Sequence, residues 1–210
     1  MAPKSSATLV PRHPTAERLL EAAIRSMDAE GEAGLRVDAV VSEAGVTIPV
    51  LYHHFGNREG LVRAAHVARL RRDLDERIDA FAAGIAQVTD RASLVTLFDE
   101  ILRSVATLAD NRFIRVNVLG ATYGRPDLQH EVADLQRSSW ERMAELLEGP
   151  RRQGWIRADI DLVSFVAWLF GLFIGRTLLD IQSDNMDPGP WDRYTREAVY
   201  TVLLGEVPPA

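Results

Sequence analysis

From Leu19 to Leu204 the apolar residues recur three and four positions apart, and nowhere do they alternate with polar ones over the length of a strand. Spacing of this kind gathers apolar side chains into one stripe along a helix, so the chain is expected to be all-α, with about nine helices. Leu19, Leu20, Ala23, Ile24 and Met27 form the first stripe. Thr15 is its expected N-cap, Glu17 sits in its first turn where the helix dipole favours a carboxylate, and Gly31 to Gly34 stops it. Two short segments follow, Val37 to Ala44 and Thr47 to Phe55, joined by a turn at Gly45. Thr47 can cap the second, and Pro49 falls in its first turn, where a missing N–H does no harm. Gly56 ends that segment and Asn57 opens a long helix from Arg58 towards Ala83. Further helices are expected over Arg91 to Ala109, Arg112 to Tyr123, Asp127 to about Arg152 and about Ile160 to Ile181. A last helix, Trp191 to Leu204, follows an Asp-Pro-Gly-Pro turn.

Composition narrows the setting. There is no cysteine, which removes disulfides and thiolate metal sites and favours a reducing compartment. The N-terminal stretch lacks the apolar region of a secretory signal, and the uncharged run Leu162 to Gly175 is shorter than the roughly 20 residues of a spanning helix. A cytoplasmic protein with no membrane partner is therefore expected. The net charge is −6, yet it is unevenly spread: residues 1–72 hold ten Lys/Arg against eight Asp/Glu, and the acidic excess lies entirely beyond them. A mildly basic head on an acidic body is compatible with an anionic partner for the head.

The two short helices around Gly45 have the form of a helix-turn-helix, whose second helix enters the DNA major groove. Helical geometry sends Val40, Ala44, Val46 and Leu51 inwards and leaves Ile48, Pro49, Val50, His53 and His54 on or near the outer surface. An outward Ile-Pro-Val tip followed by two histidines is odd on a solvated helix but sensible on one lying against base edges and phosphates.

The segment VDAVVSEAGVTIPVLYHHFGNREGLV (37–62) resembles the DNA-binding region of the TetR family of transcriptional regulators. Three elements at fixed offsets carry the likeness: Ala44-Gly45-Val46, then Leu51-Tyr52-x-His54-Phe55, then Asn57-Arg58-Glu59-x-Leu61. The first fourteen residues hold three prolines and little that could pack, so a disordered arm (1–14) is expected; the resemblance implies a helix-turn-helix DNA-binding domain (15–62) and a helical effector-binding and dimerisation domain (63–210). It implies that Thr47 caps the recognition helix, that Ile48, Pro49, Val50 and His53 face the groove, and that Tyr52, His54 and Arg58 sit where family members touch phosphate. Asn57, at the start of the long helix, would add an anion site through free N–H groups, and Arg36 lies near the start of the second helix. Lys4 and Arg12 of the arm could reach a minor groove. Two features depart from the family pattern: Arg36-Val37 and Asp38 replace the usual threonine and following polar or basic residue, and Val41 replaces an alanine at the helix crossing.

The same resemblance implies a homodimer through the last two helices, to which FVAWLFGLFIG (165–175) would contribute, with Gly171 and Gly175 allowing close approach. A small, mainly apolar effector is expected among helices five to eight, with Phe98, Leu102, Phe113, Asn117, Tyr123, Trp140 and Trp168 as candidate pocket residues. The expected function is that of a ligand-responsive repressor on a palindromic operator. No cofactor or metal is expected, since His53 and His54 diverge by about 100° on a helix and cannot share one ion. Nucleophile elbows, phosphate-cradling loops and the H-E-x-x-H pattern are absent, so an enzyme is not expected. Two alternatives remain: an interaction protein that has lost operator binding, and a small-molecule enzyme in a helical body.

Overall fold

The computed structural model describes residues 13–107, 109–182 and 185–209; the expected arm falls outside these except for His13 and Pro14. Among the described residues there are ten helical segments and no strand. They are α1 (Pro14–Gly34), α2 (Val37–Ala44), α3 (Ile48–Phe55), α4 (Arg58–Ile85) and α5 (Arg91–Thr107), then α6 (Ala109–Ala121), α7 (Pro126–Arg152), α8 (Leu162–Gly175), α9 (Thr177–Asp180) and α10 (Gly189–Leu204). Because α9 is a single turn, the expected nine helices of ordinary length are present. The chain divides into two compact units that meet at Arg69 and Leu70.

In the first unit, α1 begins two residues earlier than its pattern suggests. His13 is the N-cap, its Nδ1 accepting from the Thr15 N–H at 3.2 Å, and Pro14 takes the first helical position. The cap is therefore an imidazole rather than Thr15, since Pro14 and Thr15 are already helical. At the far end Gly31, at φ 71°, breaks the helix into a kink, and the last turn runs on to Gly34. Leu19, Leu20, Ala23, Ile24 and Met27 are buried, as their spacing requires, against Val40, Val41, Ala44 and Leu51 of the two short helices and Leu61, Val62 and Ala65 of α4. Gly45 closes α2 in the left-handed conformation (φ 66°), and the Val46 N–H reaches back to the Val41 carbonyl at 3.0 Å.

The entry into α4 is equally specified. Asn57 Oδ1 accepts from the Gly60 N–H at 2.8 Å, an N-cap as the sequence implies. Gly60 is needed for a second reason: a Cβ there would lie 2.0 Å from the Phe55 carbonyl oxygen, a backbone atom. Ion pairs then join α4 to α1, Arg69 to Asp28 at 2.5 Å and His66 Nε2 to Glu32 at 2.9 Å.

The second unit buries Leu74, Ile78, Leu94, Phe98, Leu128 and Leu147 in its core. Its helix starts follow capping chemistry, with Asp90 accepting from the Ser93 N–H before α5 and Asp161 from the Ser164 N–H before α8, both at 2.7 Å. Buried arginines knit the elements: Arg112 on α6 makes a two-pronged pair with Asp180 of α9, both contacts at 2.6 Å, and also donates to the Val105 carbonyl. The helical run Leu162–Asp180 has the length and composition of a membrane span, longer than the uncharged stretch Leu162–Gly175, but 44% of its most apolar window is buried inside the protein. Arg176 and Asp180 within it are paired with Asp192 and Arg112.

Gly60→Ala is expected to destabilise the first unit by roughly 1–3 kcal/mol, because the added methyl must displace backbone. Urea denaturation followed by circular dichroism measures this; stability within about 0.5 kcal/mol of the parent would show that the turn between α3 and α4 has slack.

Candidate nucleic-acid interface and effector cavity

The inward and outward faces of α3 are set by which side chains reach the core of the first unit. Ile48, Leu51 and Phe55 lie on one stripe at helical spacing; Leu51 is fully buried and the other two pack, partly buried, against the same core. The opposite stripe is Pro49, Tyr52 and His53, all exposed, with Tyr52 at 43%. Ile48 was expected to face outwards, but its side chain is drawn into the core beside Leu51. Val50 and His54 are half-buried at the margins. The outward surface is thus a proline, a phenol and an imidazole rather than an apolar Ile-Pro-Val tip.

Thr47 occupies the N-cap of α3 in backbone terms, its carbonyl accepting from Val50 and Leu51, but its hydroxyl makes no capping hydrogen bond. Pro49 explains this in part, since the second helical position offers no N–H. The exposed hydroxyl is left for an outside partner. Arg36, exposed at the start of α2, likewise makes no capping bond with its side chain. Asp38 sits in the first turn of α2, where the helix dipole favours it. The rings of His13 and His54 stack at 5.5 Å, and His53 meets His54 edge-on at 5.3 Å, so three imidazoles line up beside the outer face of α3.

Arg58 departs most from its expected part. Its guanidinium donates to the Glu32 carbonyl at 2.7 Å (Nη2), which also accepts from the Leu35 N–H at 3.3 Å, and to the Leu35 carbonyl at 3.2 Å (Nε), both at the end of α1. In this structure Arg58 caps α1 from the side. Asn57 is exposed, with its side chain spent on the Gly60 N–H.

In the second unit, a partly open cavity of about 170 Å³ lies among α4, α5, α6, α7 and α8. Of the seven candidate pocket residues, Phe98 lines it. Leu102 lines an adjoining open groove of about 610 Å³ along α5, α8 and α10, which shares Val105 and Phe173 with the cavity. Phe113, Asn117, Tyr123 and Trp168 are exposed, Tyr123 at 95%, and Trp140 is half-buried outside both hollows. The expected pocket face of α6 is the wrong one. Arg112, Arg115 and Val118 point inwards instead of Phe113 and Asn117.

Arg115 is the polar feature of the cavity that sequence reasoning missed. Its Nε donates to Asp73 Oδ2 at 2.6 Å, while Arg77 binds the other oxygen of the same carboxylate at 3.0 Å. The guanidinium lies 4.9 Å from the centre of the Phe170 ring. Its Nη2 is buried and has no partner among the described residues. Burial, and then the charge of Arg77, hold the Arg115 guanidinium below its ordinary value against the opposing pull of Asp73. The available signal was a pair of arginines three apart within an apolar helix.

A helix-turn-helix head on an all-helical body defines the class: a transcriptional-regulator fold. Within that class the chain is TetR-like. Residues 19–65 match the family model of bacterial regulatory proteins, tetR family. A Mesorhizobium loti structure described as a TetR-family transcriptional regulator shares the fold with a TM-score of 0.68, at 16% identity over 90% of this chain and 96% of that one. The fatty acid degradation regulator FadR of Bacillus halodurans superposes with a TM-score of 0.59, at 16% identity over 93% and 97%. A protein from Saccharomonospora viridis, described as a transcriptional regulator and solved in complex with choline, gives 0.61, at 17% identity over 90% and 96%. No curated protein sequence matches the chain. The resemblance read from residues 37–62 is thereby borne out, and the fold is one shared with transcriptional regulators.

Arg58→Ala should lower the stability of the first unit by about 1–3 kcal/mol, since it leaves the Leu35 carbonyl without its donor and removes the second donor to the Glu32 carbonyl. His53→Ala should change stability by less than about 0.5 kcal/mol, since its side chain is exposed. Parallel denaturation of the two variants checks this, and an Arg58→Ala protein as stable as the parent would return Arg58 to a purely phosphate-binding part.

Proposed function

We propose that the protein is a homodimeric repressor that binds a palindromic operator through its N-terminal unit and is released by a small, mainly apolar effector. The observation that carries this reading is the exposed stripe of α3. Pro49, Tyr52 and His53 share one face, beside the Thr47 hydroxyl and Arg36, on a head that matches the tetR family. Proline can touch a thymine methyl, while a phenol or a neutral imidazole can donate one hydrogen bond to a base edge or a phosphate. His54 and the N-terminus of α4 at Asn57 would add phosphate contacts at the margin. The domains are taken as a head over 15–62 and an effector and dimerisation body over 63–210.

A single short recognition helix buries too little surface for useful affinity, and two half-sites one helical turn apart solve this. Support for pairing through α8 and α10 comes from their outer residues: Trp168 and Gly171 are exposed on α8, and Tyr194 is 60% exposed on α10. Nothing lies within 4 Å of a Cβ built at Gly171, which leaves room for a second chain. The effector site is taken as the cavity lined by Phe98, Phe165, Phe170 and Arg115. A small ligand is in keeping with the choline held by the S. viridis protein. Because α4 begins with the cap at Asn57 and carries Asp73 and Arg77, it is the natural connector between cavity and head. Switching requires that the effector bind one arrangement of the dimer more tightly than the other.

Selection of the protein against a random pool of duplex DNA should enrich a palindrome, and its affinity should fall steeply with salt as phosphate contacts release counterions. His53→Ala and Tyr52→Phe, both stable, should weaken binding by about 1–3 kcal/mol each. A folded protein that enriches no sequence would favour the interaction-protein alternative. Gly171→Arg should convert the dimer to a monomer and abolish operator binding, as read by light scattering and mobility shift; an unchanged dimer would place the interface elsewhere.

A further inference from the structure

The cavity has a chemical signature more specific than apolar, and its walls are the starting point. Phe98, Phe165, Val166, Leu169 and Phe170 supply most of them. Arg77, Ser104 and Arg115 are the polar lining residues, and among the described residues that line it there is no carboxylate. Asp73 stands behind Arg77 and Arg115 and is shared between them. Two guanidinium charges against one carboxylate leave one positive charge uncompensated at the edge of an apolar space. Buried charge without a counter-charge is unfavourable, and so is a buried donor without an acceptor. Arg115 carries both deficits, because its side chain is 5% exposed and its Nη2 is unpartnered.

We infer, resting on the reading of this cavity as the effector site, that the effector is a small monocarboxylate: one aromatic ring or a short alkyl chain bearing a carboxylate that accepts from Arg115 Nη2. Volume, charge and donor geometry lead to the same class. A cavity of about 150 Å³ lined by apolar side chains holds a benzene ring, and the present one is about 170 Å³. A single negative charge matches the single uncompensated positive one. A dianion such as a phosphate monoester would reverse the imbalance, and a cationic ligand would deepen it. The Arg115 guanidinium, held between Asp73 and the Phe170 ring, is already immobilised, so little side-chain freedom is lost on binding. A carboxylate there would also compete with Asp73 for the same guanidinium, and Asp73 belongs to α4.

Calorimetric titration of the protein with benzoate, benzyl alcohol and benzylamine, and with hexanoate and hexanol, tests the inference. Each carboxylate should bind at least about tenfold more tightly than its alcohol, with the amine weakest. In Arg115→Met the carboxylate advantage should shrink to about threefold or less while alcohol affinity is retained; Arg115→Lys, which keeps the charge but loses the planar fork, should fall between and serves if the methionine variant does not fold. Equal affinity for acid and alcohol, or preference for the amine, would overturn the carboxylate inference while leaving an apolar effector site standing. Carboxylate preference that survives Arg115→Met or Arg115→Lys unchanged would overturn it too, by placing the ligand elsewhere. Absence of any binding would overturn both. Tight, Arg115-dependent binding of benzoate that leaves operator affinity unaltered would uphold the ligand class and overturn the effector reading.

Discussion

The side-on cap of α1 by Arg58 is the contact on which the geometry of the head rests. A helix that ends inside a small domain leaves carbonyl groups without partners, and each must find a donor or stay in water. Here α1 is broken at Gly31, and the carbonyls of Glu32 and Leu35 are met by one guanidinium from the start of α4. That bond fixes where α4 begins. Gly60 then lets the first turn of α4 come against the Phe55 carbonyl, and so the end of α3 is fixed as well. With both ends of the short helices pinned, the stripe of Ile48, Leu51 and Phe55 must face the core and the stripe of Pro49, Tyr52 and His53 must face out. A residue that would read as a phosphate contact from its position in the motif is thus first of all a structural device.

The body is organised on a different principle. Its helices are joined by arginines that reach carboxylates far away in sequence: Arg112 to Asp180, Arg115 to Asp73, Arg176 to Asp192 and Arg196 to Asp99. The first two pairs are buried, and such pairs add little net stability relative to apolar packing, because both ions are taken out of water. Their worth lies in register, since a planar guanidinium accepts only a few approaches of a carboxylate. Arg196 and Tyr200 illustrate it. The Tyr200 hydroxyl lies 2.9 Å from both Asp99 and the Val95 carbonyl, and burial, then the bond to Asp99, raises its pKa. At Asp99, burial acts to raise the pKa, but the hydrogen bonds from Arg196 and Tyr200 prevail and leave it lowered. One α10 is thereby locked to one α5.

How much of this was legible in the sequence depends on how local the cause is. The helices, the glycine turn at Gly45, the cap at Asn57 and the inward stripe of α1 are decided within a few residues, and periodicity and capping chemistry reveal them. The motif of residues 37–62 was legible for the same reason. Two failures on α3 and α6 are of another kind. Helical geometry within the motif alone leaves Ile48 outside, and the resemblance assigns it to the groove, whereas its neighbour Leu51 and the core behind it draw the side chain in. On α6 the apolar Phe113 was placed inside and the arginines ignored, because buried charge is rare unless paired. The partners of Arg112 and Arg115 lie 68 and 42 residues away, and no local pattern announces them. The pocket residues were misread as a consequence: once Arg112 and Arg115 turn inwards, Phe113 and Asn117 must turn out.

The same inversion bears on how a ligand could act at a distance. An effector that only filled apolar space would be bound in proportion to the area it buries, in whichever arrangement of the helices leaves that space open. Such a ligand has weak grounds for preferring one state. A charged group aimed at Arg115 differs, because the guanidinium it engages is already engaged by Asp73 from α4 and lies beside Arg77, also on α4. Whatever the ligand gains from Arg115 depends on how far Asp73 yields its share, so its affinity is tied to the position of α4 by a specific bond rather than by bulk. A coupling of one to three kcal/mol, the order typical of allosteric proteins, is within what one charge-assisted hydrogen bond can supply. The uncompensated arginine is therefore more than an irregularity of the core. It is the point at which a small molecule could exchange binding energy for a displacement of the helix that begins at the head.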